Sequence, residues 1–486
     1  MGSLRLPEIP GVLTAALALS LGSAPALAAA IPGPDLLTGD WGGILTGPGG
    51  LQLNVLLQLR VGPDGVVGRL ASPQQGAFDI PVAGSPPQGG ETLLDVPSLH
   101  AEFRGRLTAD DKLEGIWTQG AARLPLNLTR LSPGAVAASL DRPQTPHPPF
   151  SYRIVQVKFG GEAGEPRLAG TLTLPEGQGP FPAVVLIPGS GPQTRDETVA
   201  GHPIFWVLAD ALSRNGFAVL RYDKRGVGQS GGTYAEATLH DFAQDARTAA
   251  DWLGSQPGVD RRRLGLIGHS EGGLAAPLAA AKDPAIAFMV LLAAPGVDGR
   301  RLLAAQGRLI EAANGGPPAM LKAQDALREK ALRAIAASAN PAEARAQIAT
   351  LVAAFARAQS LPLASAQQLQ AAYDAADTPW MRSFLTYDPA PTLRRLRLPV
   401  LALIGSKDLQ VPAALNLPAL RAALKDDPEA TVEESPGLNH LFQTATTGAP
   451  AEYGQISETF SPLALKRVLD WLRSVAPRTS AAKTEL

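Results

Sequence analysis

Gly268-His269-Ser270-Glu271-Gly272 sets a serine between two glycines in a G-x-S-x-G pattern. The pattern lies between the apolar run Leu264-Gly265-Leu266-Ile267 and an Ala/Leu-rich segment, Gly273 to Lys282. A strand that turns straight into a helix strains the serine backbone and presents its hydroxyl as a nucleophile. A serine hydroxyl is weak at neutral pH, so it needs a base within hydrogen-bond reach and a carboxylate to orient that base. For a serine in this setting the partners follow in the order acid, then histidine. The chain has six histidines (His100, His147, His202, His240, His269 and His440), and only His440 comes after Ser270. Asp408, in Ile404-Gly405-Ser406-Lys407-Asp408, directly follows the apolar run Val400 to Ile404 and is the candidate acid. The rival carboxylates are Asp388, before Pro389, and Asp426-Asp427, before Pro428; they have the character of turn or capping residues.

Acyl transfer also needs donors for the developing oxyanion. The backbone N–H of Glu271 is one candidate. The other lies in the turn Ile187-Pro188-Gly189-Ser190-Gly191-Pro192, where Ser190 N–H is the first choice and Gly191 N–H the second. The Glu271 side chain is expected near the pocket entrance. Arg195-Asp196-Glu197, Asp223 and Arg225 read as loop-stabilising charges.

The elements that must hold these residues begin at Tyr152, where strand-like runs alternate with helical ones, the pattern of an α/β fold with a largely parallel sheet. Ile154–Phe159 and Leu168–Leu174 read as an opening hairpin. Ala183–Ile187, Ile286–Leu292 and Val400–Ile404 read as buried strands, Ala218–Tyr222 and Ala430–Glu434 as further strands, the latter the last, with helices over Ile204–Asn215, Asp241–Leu253 and Pro462–Val475. Residues 298–387 break the alternation. They carry helical patterns such as Ala323–Ala337 and Pro341–Gln359, and are expected to form a helical insertion over the carboxyl ends of the strands, a candidate lid.

Upstream, residues 31–132 show short period-two runs broken by Gly and Pro, among them Leu51–Leu59, Val66–Leu70, Ala101–Leu107 and Leu124–Leu128, which predict a small antiparallel β domain. Trp41 and Trp117 each sit near glycines and read as core plugs of that domain. Residues 133–150, with Pro143, Pro146, Pro148 and Pro149, read as a stiff, exposed linker, and His147 as a solvated linker residue. Residues 1–30 have the form of an export signal: Arg5, an apolar core from Gly11 to Ala24, and Ala26-Leu27-Ala28 as a small-x-small cleavage site. A periplasmic or secreted protein is expected, with a polar tail over 478–486.

Composition removes several classes. The chain of 486 residues has no cysteine, which excludes disulfides, thiolate metal sites and a cysteine nucleophile. A net charge of −1 without a basic block argues against nucleic-acid binding. No segment after the signal has the roughly 18 consecutive apolar residues of a membrane span.

Together, Leu186–Gly191, Arg221-Tyr222-Asp223-Lys224-Arg225-Gly226-Val227-Gly228-Gln229-Ser230, Gly268–Gly273, Gly405–Asp408 and Asn439-His440 resemble the α/β-hydrolase superfamily over about residues 150 to 475. The resemblance is greatest to exported bacterial serine esterases with a β-rich amino-terminal domain. It implies a mostly parallel sheet flanked by helices, with catalytic segments 151–297 and 388–477 around the insertion, and hydrolysis of small or medium acyl esters through an acyl-enzyme on Ser270, His440 and Asp408. It implies a small-molecule ester as partner, and neither metal nor organic cofactor. The usual His-Gly before the oxyanion residue is replaced by Pro188-Gly189. Two other readings stand beside it: an acyl-peptide or prolyl-type serine peptidase, and a non-catalytic binding protein that uses the β domain.

Overall fold

Period-two alternation dominates the first part of the computed structural model, which describes residues 34–477 apart from 47–51, 63–64, 73–76, 89–90, 109–110, 121, 141 and 163. The expected signal segment 1–30 and the tail 478–486 lie outside the described residues. Eight strands form a closed antiparallel barrel in chain order: β1 (Gly39–Thr46), β2 (Gln52–Gly62), β3 (Gly65–Ser72), β4 (Ala77–Gln88), β5 (Glu91–Val96), β6 (Ala101–Leu107), β7 (Lys112–Gln119) and β8 (Ala122–Arg130). β8 returns to β1 with Arg130 opposite Trp41, so the sheet has no open edge there. Alternate residues point inward, as Ala101, Phe103 and Gly105 do on β6. Trp41 and Trp117 are buried in this interior beside Phe103, Leu57 and Leu126, as expected of core plugs. The Trp41 indole N–H donates to Leu37 O at 3.0 Å, so its polar atom is satisfied.

The Pro-rich segment is less exposed than its composition suggests. It opens with α1 (Ala135–Leu140), and Val136 N–H donates to Asp40 Oδ2 at 3.1 Å. Beyond α1, Arg142 donates to Ala200 O (3.1 Å) and Gly454 O (2.9 Å), and the Gln144 side chain bonds both Phe460 O (2.8 Å) and Thr459 N (2.6 Å). Proline limits the chain's own hydrogen bonding, and here side chains supply the contacts.

The second sheet comprises β9 (Tyr152–Gly160), β10 (Arg167–Pro175), β11 (Phe181–Ile187), β14 (Ala218–Tyr222), β15 (Val259–His269), β16 (Phe288–Leu292), β17 (Val400–Gly405) and β18 (Ala430–Ser435). A small hairpin, β12 (Thr198–Val199) and β13 (His202–Pro203), leads into the first large helix. The spatial order is β9-β10-β14-β11-β15-β16-β17-β18, antiparallel across β9/β10 and β10/β14 and parallel thereafter. One face packs on α3 (Leu239–Gly254), α4 (Gly272–Ala280) and α11 (Ala413–Ala423); the other packs on α2 (Ile204–Arg214) and α12 (Pro462–Val475). Burial on both faces explains why the central strands are continuous apolar runs such as Ala183-Val184-Val185-Leu186-Ile187.

The insertion consists of α5 (Gly299–Ala313), α6 (Pro318–Ala337), α7 (Pro341–Ala358), α8 (Leu363–Ala376) and α9 (Pro379–Thr386), followed by the short α10 (Ala390–Leu393). Asp298, Asn340 and Thr378 cap α5, α7 and α9 through their side chains, which is why those helices start where they do. Leu302, Ile335, Phe384 and Leu385 of the insertion belong to the same apolar core as α3 and α4.

Where the linker meets the second sheet's domain, His202 is fully buried. Its Nε2 lies 3.0 Å from Tyr453 O and its Nδ1 3.0 Å from Thr459 Oγ1. The carbonyl requires a proton on Nε2, so the neutral ring accepts from the threonine hydroxyl. Burial, then the nearby Arg142 charge, push the imidazole down from 6.5 to about 4. The unfolded chain therefore binds the proton more readily, and this contribution is lost as pH falls from about 6.5 to about 4. We expect His202→Gln to flatten the loss of unfolding free energy across that window by about 2–3 kcal/mol relative to the unaltered protein. Denaturant titrations at several pH values check this, and parallel curves for the two proteins would contradict it.

Candidate active site

Ser270 sits between β15 and α4 with φ +53°, in the left-handed region that a non-glycine residue occupies only at a cost of about 1–3 kcal/mol. Its N–H donates to Leu292 O at 2.8 Å, which ties the turn to the neighbouring strand β16. The flanking glycines are steric necessities. A Cβ on Gly268 would lie 2.2 Å from Gly272 O, and one on Gly272 would lie 2.0 Å from Ile187 O.

His440 and Asp408 follow β18 and β17, at the same carboxyl edge of the sheet as Ser270. The His440 Nδ1 lies 2.8 Å from Asp408 Oδ2, and both residues are buried. Asp408 Oδ1 accepts from the N–H groups of Gln410 (2.8 Å) and Val411 (2.7 Å), so the carboxylate is held by its own loop. With Nδ1–H donating to Asp408, Nε2 of the imidazole is left as the acceptor. The Asn439 side chain accepts from Leu441 N and Gln443 N, both at 3.0 Å, and shapes the turn that carries His440. Lys407 N–H donates to Leu438 O at 2.9 Å and joins the two loops. Of the rival acids, Asp388 accepts from Ala390 N (3.0 Å) and Asp427 from Glu429 N (3.1 Å), each within its own turn.

The Gly/Pro turn after β11 lies against the serine: a Cβ on Gly189 would be 3.3 Å from Ser270 Cβ. Gly189 N–H is already taken by Glu197 Oε1 at 2.6 Å. Gly191 N–H faces the Tyr234 hydroxyl. Among the described residues no backbone acceptor takes the N–H of Ser190 or Glu271.

The charged loops resolve into defined pairs. Arg195 grips Asp223 through Nε (3.0 Å) and a terminal nitrogen (2.6 Å), Arg225 holds Asp245 and Asp241, and Asp196 pairs with Arg221. The Glu271 side chain is not at an entrance. It is buried and lies 2.7 Å from the equally buried Lys224 Nζ. Glu197 and His269 had no assigned site role on sequence grounds. Glu197 is buried, and its Oε1 also lies 2.8 Å from His269 Nδ1. The histidine beside Ser270 was the available signal, because a buried imidazole needs partners for both nitrogens.

A sheet of this order, with a strained serine at a strand–helix turn and an acid–histidine pair past later strands, defines an α/β-hydrolase. The family profile described as X-Pro dipeptidyl-peptidase (S15 family) matches residues 164–428, more than half of the chain, and the protein belongs to that family. The chain is similar to the esterase EstD of Thermotoga maritima, 38% identical over 128 residues, which are 26% of this chain and 30% of that protein. It is also similar to an acyl transferase of Photorhabdus luminescens, 35% identical over 126 residues, 26% of this chain and 37% of that protein. The matched segments thus span less than two-fifths of either relative. Among solved structures, the Pyrococcus furiosus esterase Pf2001 aligns with 67% of this chain and 92% of its own at 15% identity and a TM-score of 0.42.

Proposed function

We propose that the protein is a carboxylic-ester hydrolase acting on small or medium acyl esters, with Ser270 as nucleophile, His440 as base and Asp408 as the group that orients it. The observation that carries this reading is the left-handed Ser270 at the same sheet edge as the 2.8 Å His440–Asp408 pair. Ser270 Oγ attacks the ester carbonyl as His440 Nε2 takes its proton. The N–H groups of Glu271 and Ser190 receive the oxyanion. His440 returns the proton to the leaving alcohol, and water then repeats the steps on the acyl-enzyme.

The family description favours a second reading, release of X-Pro dipeptides. Such a substrate carries a free ammonium, which calls for an unmatched carboxylate near the nucleophile. Buried carboxylates around the Ser270 turn are already paired: Glu271 with Lys224, Glu197 with His269 and Asp408 with His440. This supports a neutral acyl group, as does the esterase relative.

A panel of p-nitrophenyl esters from acetate to decanoate, run beside an X-Pro p-nitroanilide, separates the readings. Ester turnover should exceed anilide turnover by at least about 100-fold in kcat/KM, with a peak at short or medium chains. Preferential anilide cleavage would reverse the assignment. The insertion α5–α9 is read as the cover that sets acyl length, and a flat chain-length profile would count against that role.

A further inference from the structure

Glu197 is held in a conformation that its own chemistry does not favour. Its φ is +43°, and its neighbours Arg195 and Asp196 are fastened to Asp223 and Arg221, so its carboxylate is aimed inward by a fixed loop. Oε1 meets two groups, Gly189 N–H at 2.6 Å and His269 Nδ1 at 2.8 Å. On the far side of the ring, His269 Nε2 lies 3.0 Å from the carbonyl oxygen of His440. That oxygen can only accept, so Nε2 carries a proton. A second proton lies in the Oε1–Nδ1 bridge, since a bare carboxylate facing a bare ring nitrogen would repel it.

We propose that Glu197 and His269 are positioning residues that lock the Gly189–Ser190 peptide and the His440 loop onto the turn carrying Ser270, a reading that rests on Ser270 being the nucleophile. One carboxylate and one imidazole connect three separate chain segments: the turn after β11, the turn after β15 and the loop after β18. Gly189 lacks a Cβ because that atom would lie 2.8 Å from Glu197 Oε1 and 3.4 Å from His269 Nδ1. With its N–H drawn to Glu197, the following N–H, that of Ser190, is left for the oxyanion.

The groups facing His269 are Glu197, the Asp408 charge, the His440 carbonyl and the His440 ring, whose centroid is 4.9 Å away. Burial alone would lower the His269 imidazole. The Glu197 charge and hydrogen bond, the His440 carbonyl and Asp408 outweigh it and hold the imidazole above its ordinary range. The bridge proton is therefore held to a higher pH than that of an ordinary imidazole and is lost as pH rises beyond it.

A fluorophosphonate tests this without a substrate. Ser270 Oγ forms a bond to phosphorus, fluoride leaves, and His440 takes the hydroxyl proton, so the labelling rate reports how well the site is positioned. Glu197→Gln should label about 10- to 100-fold more slowly than the unaltered chain. It should also hydrolyse p-nitrophenyl butyrate with lowered kcat and a KM within about twofold, the pattern of a lost transition-state contact. The fall in labelling at high pH should move to lower pH in this variant. A variant that labels at the wild-type rate with an unshifted pH profile overturns the proposal. If Glu197→Gln does not fold, His269→Asn is read in the same way. The unaltered chain gives a further check: its labelling rate should fall at high pH as the Glu197–His269 bridge loses its proton, and a plateau to the alkaline limit of the fold overturns the proposal. Absence of any label on Ser270 in the unaltered chain would instead overturn the nucleophile assignment, and the positioning proposal with it.

Discussion

Ser270→Ala should lower kcat for p-nitrophenyl butyrate by about 10⁴- to 10⁶-fold and leave the thermal midpoint within a few degrees of the unaltered protein. The large term follows from chemistry: without Oγ no acyl-enzyme can form. The small stability term follows from the turn itself. Alanine keeps the same left-handed strain at φ +53°, and the bond from residue 270 N–H to Leu292 O is a backbone bond that the substitution does not touch. Asp408→Asn should cost about 10⁴-fold, because an amide facing Nδ1 can favour the wrong tautomer of His440. Residues acting as one unit are not additive, so Ser270→Ala combined with His440→Ala should be little worse than Ser270→Ala alone. Turnover and circular dichroism measured side by side check all three. Turnover near wild type in folded Ser270→Ala would remove the nucleophile.

The distribution of these effects reflects what a sequence can display. The strands that carry Ser270 and Asp408 are parallel and buried on both faces, and that burial writes itself as apolar runs closed by glycine or a turn; the edge strand before His440 is half-buried and was marked by the turn that ends it. Val400–Gly405 was legible from its burial and Ala430–Ser435 from its flanking turns, each to within a residue of its boundaries. Half of the barrel was not. β4 contains Pro81, Pro86 and Pro87, which read as loop, yet the strand pairs on both sides, with register shifts near Ser72 and between Ser85 and Gln88. β1 and β7 are thinned by glycine, so their alternation is weak, and closure of the sheet rather than local propensity fixes them. Glu197 was read only as part of a charged triplet. Its inward turn depends on Arg195 and Asp196 being claimed by Asp223 and Arg221, residues 25 to 28 positions away, and no local pattern carries that information. The turn after β11 is a middle case. Its glycines marked it as the proposed oxyanion turn, but the partners of Gly189 and Gly191 became visible only in the structure.

Lys224→Met should be the most destabilising single change near the site, at about 3–5 kcal/mol. Lys224 and Glu271 are each only 2% exposed, and their 2.7 Å contact leaves Glu271 Oε2 without a hydrogen-bond partner among the described residues. The ammonium also lies 4.1 Å from the Phe242 ring centroid, a cation–π contact that methionine replaces with sulfur against the ring. Taking two charges from water costs more than their attraction returns unless both stay matched. Removing the ammonium alone leaves a buried carboxylate with nothing opposite it, whereas removing both charges leaves none to match. The double variant Lys224→Met/Glu271→Met should therefore recover most of the loss and lie within about 1–2 kcal/mol of the unaltered protein. Acidification should shrink the penalty of the single variant, since a protonated carboxyl carries no charge to desolvate. Activity adds a separate reading, because Glu271 follows Ser270 and its N–H is a proposed oxyanion donor. A backbone disturbed by the unmatched carboxylate should lower kcat in Lys224→Met and be restored, at least in part, in the double variant. Denaturant unfolding at neutral and acidic pH, together with ester turnover, measures the full cycle. A loss below about 1 kcal/mol in Lys224→Met would mean that water or another cation reaches Glu271, and the pair would then have no structural hold on the nucleophile turn.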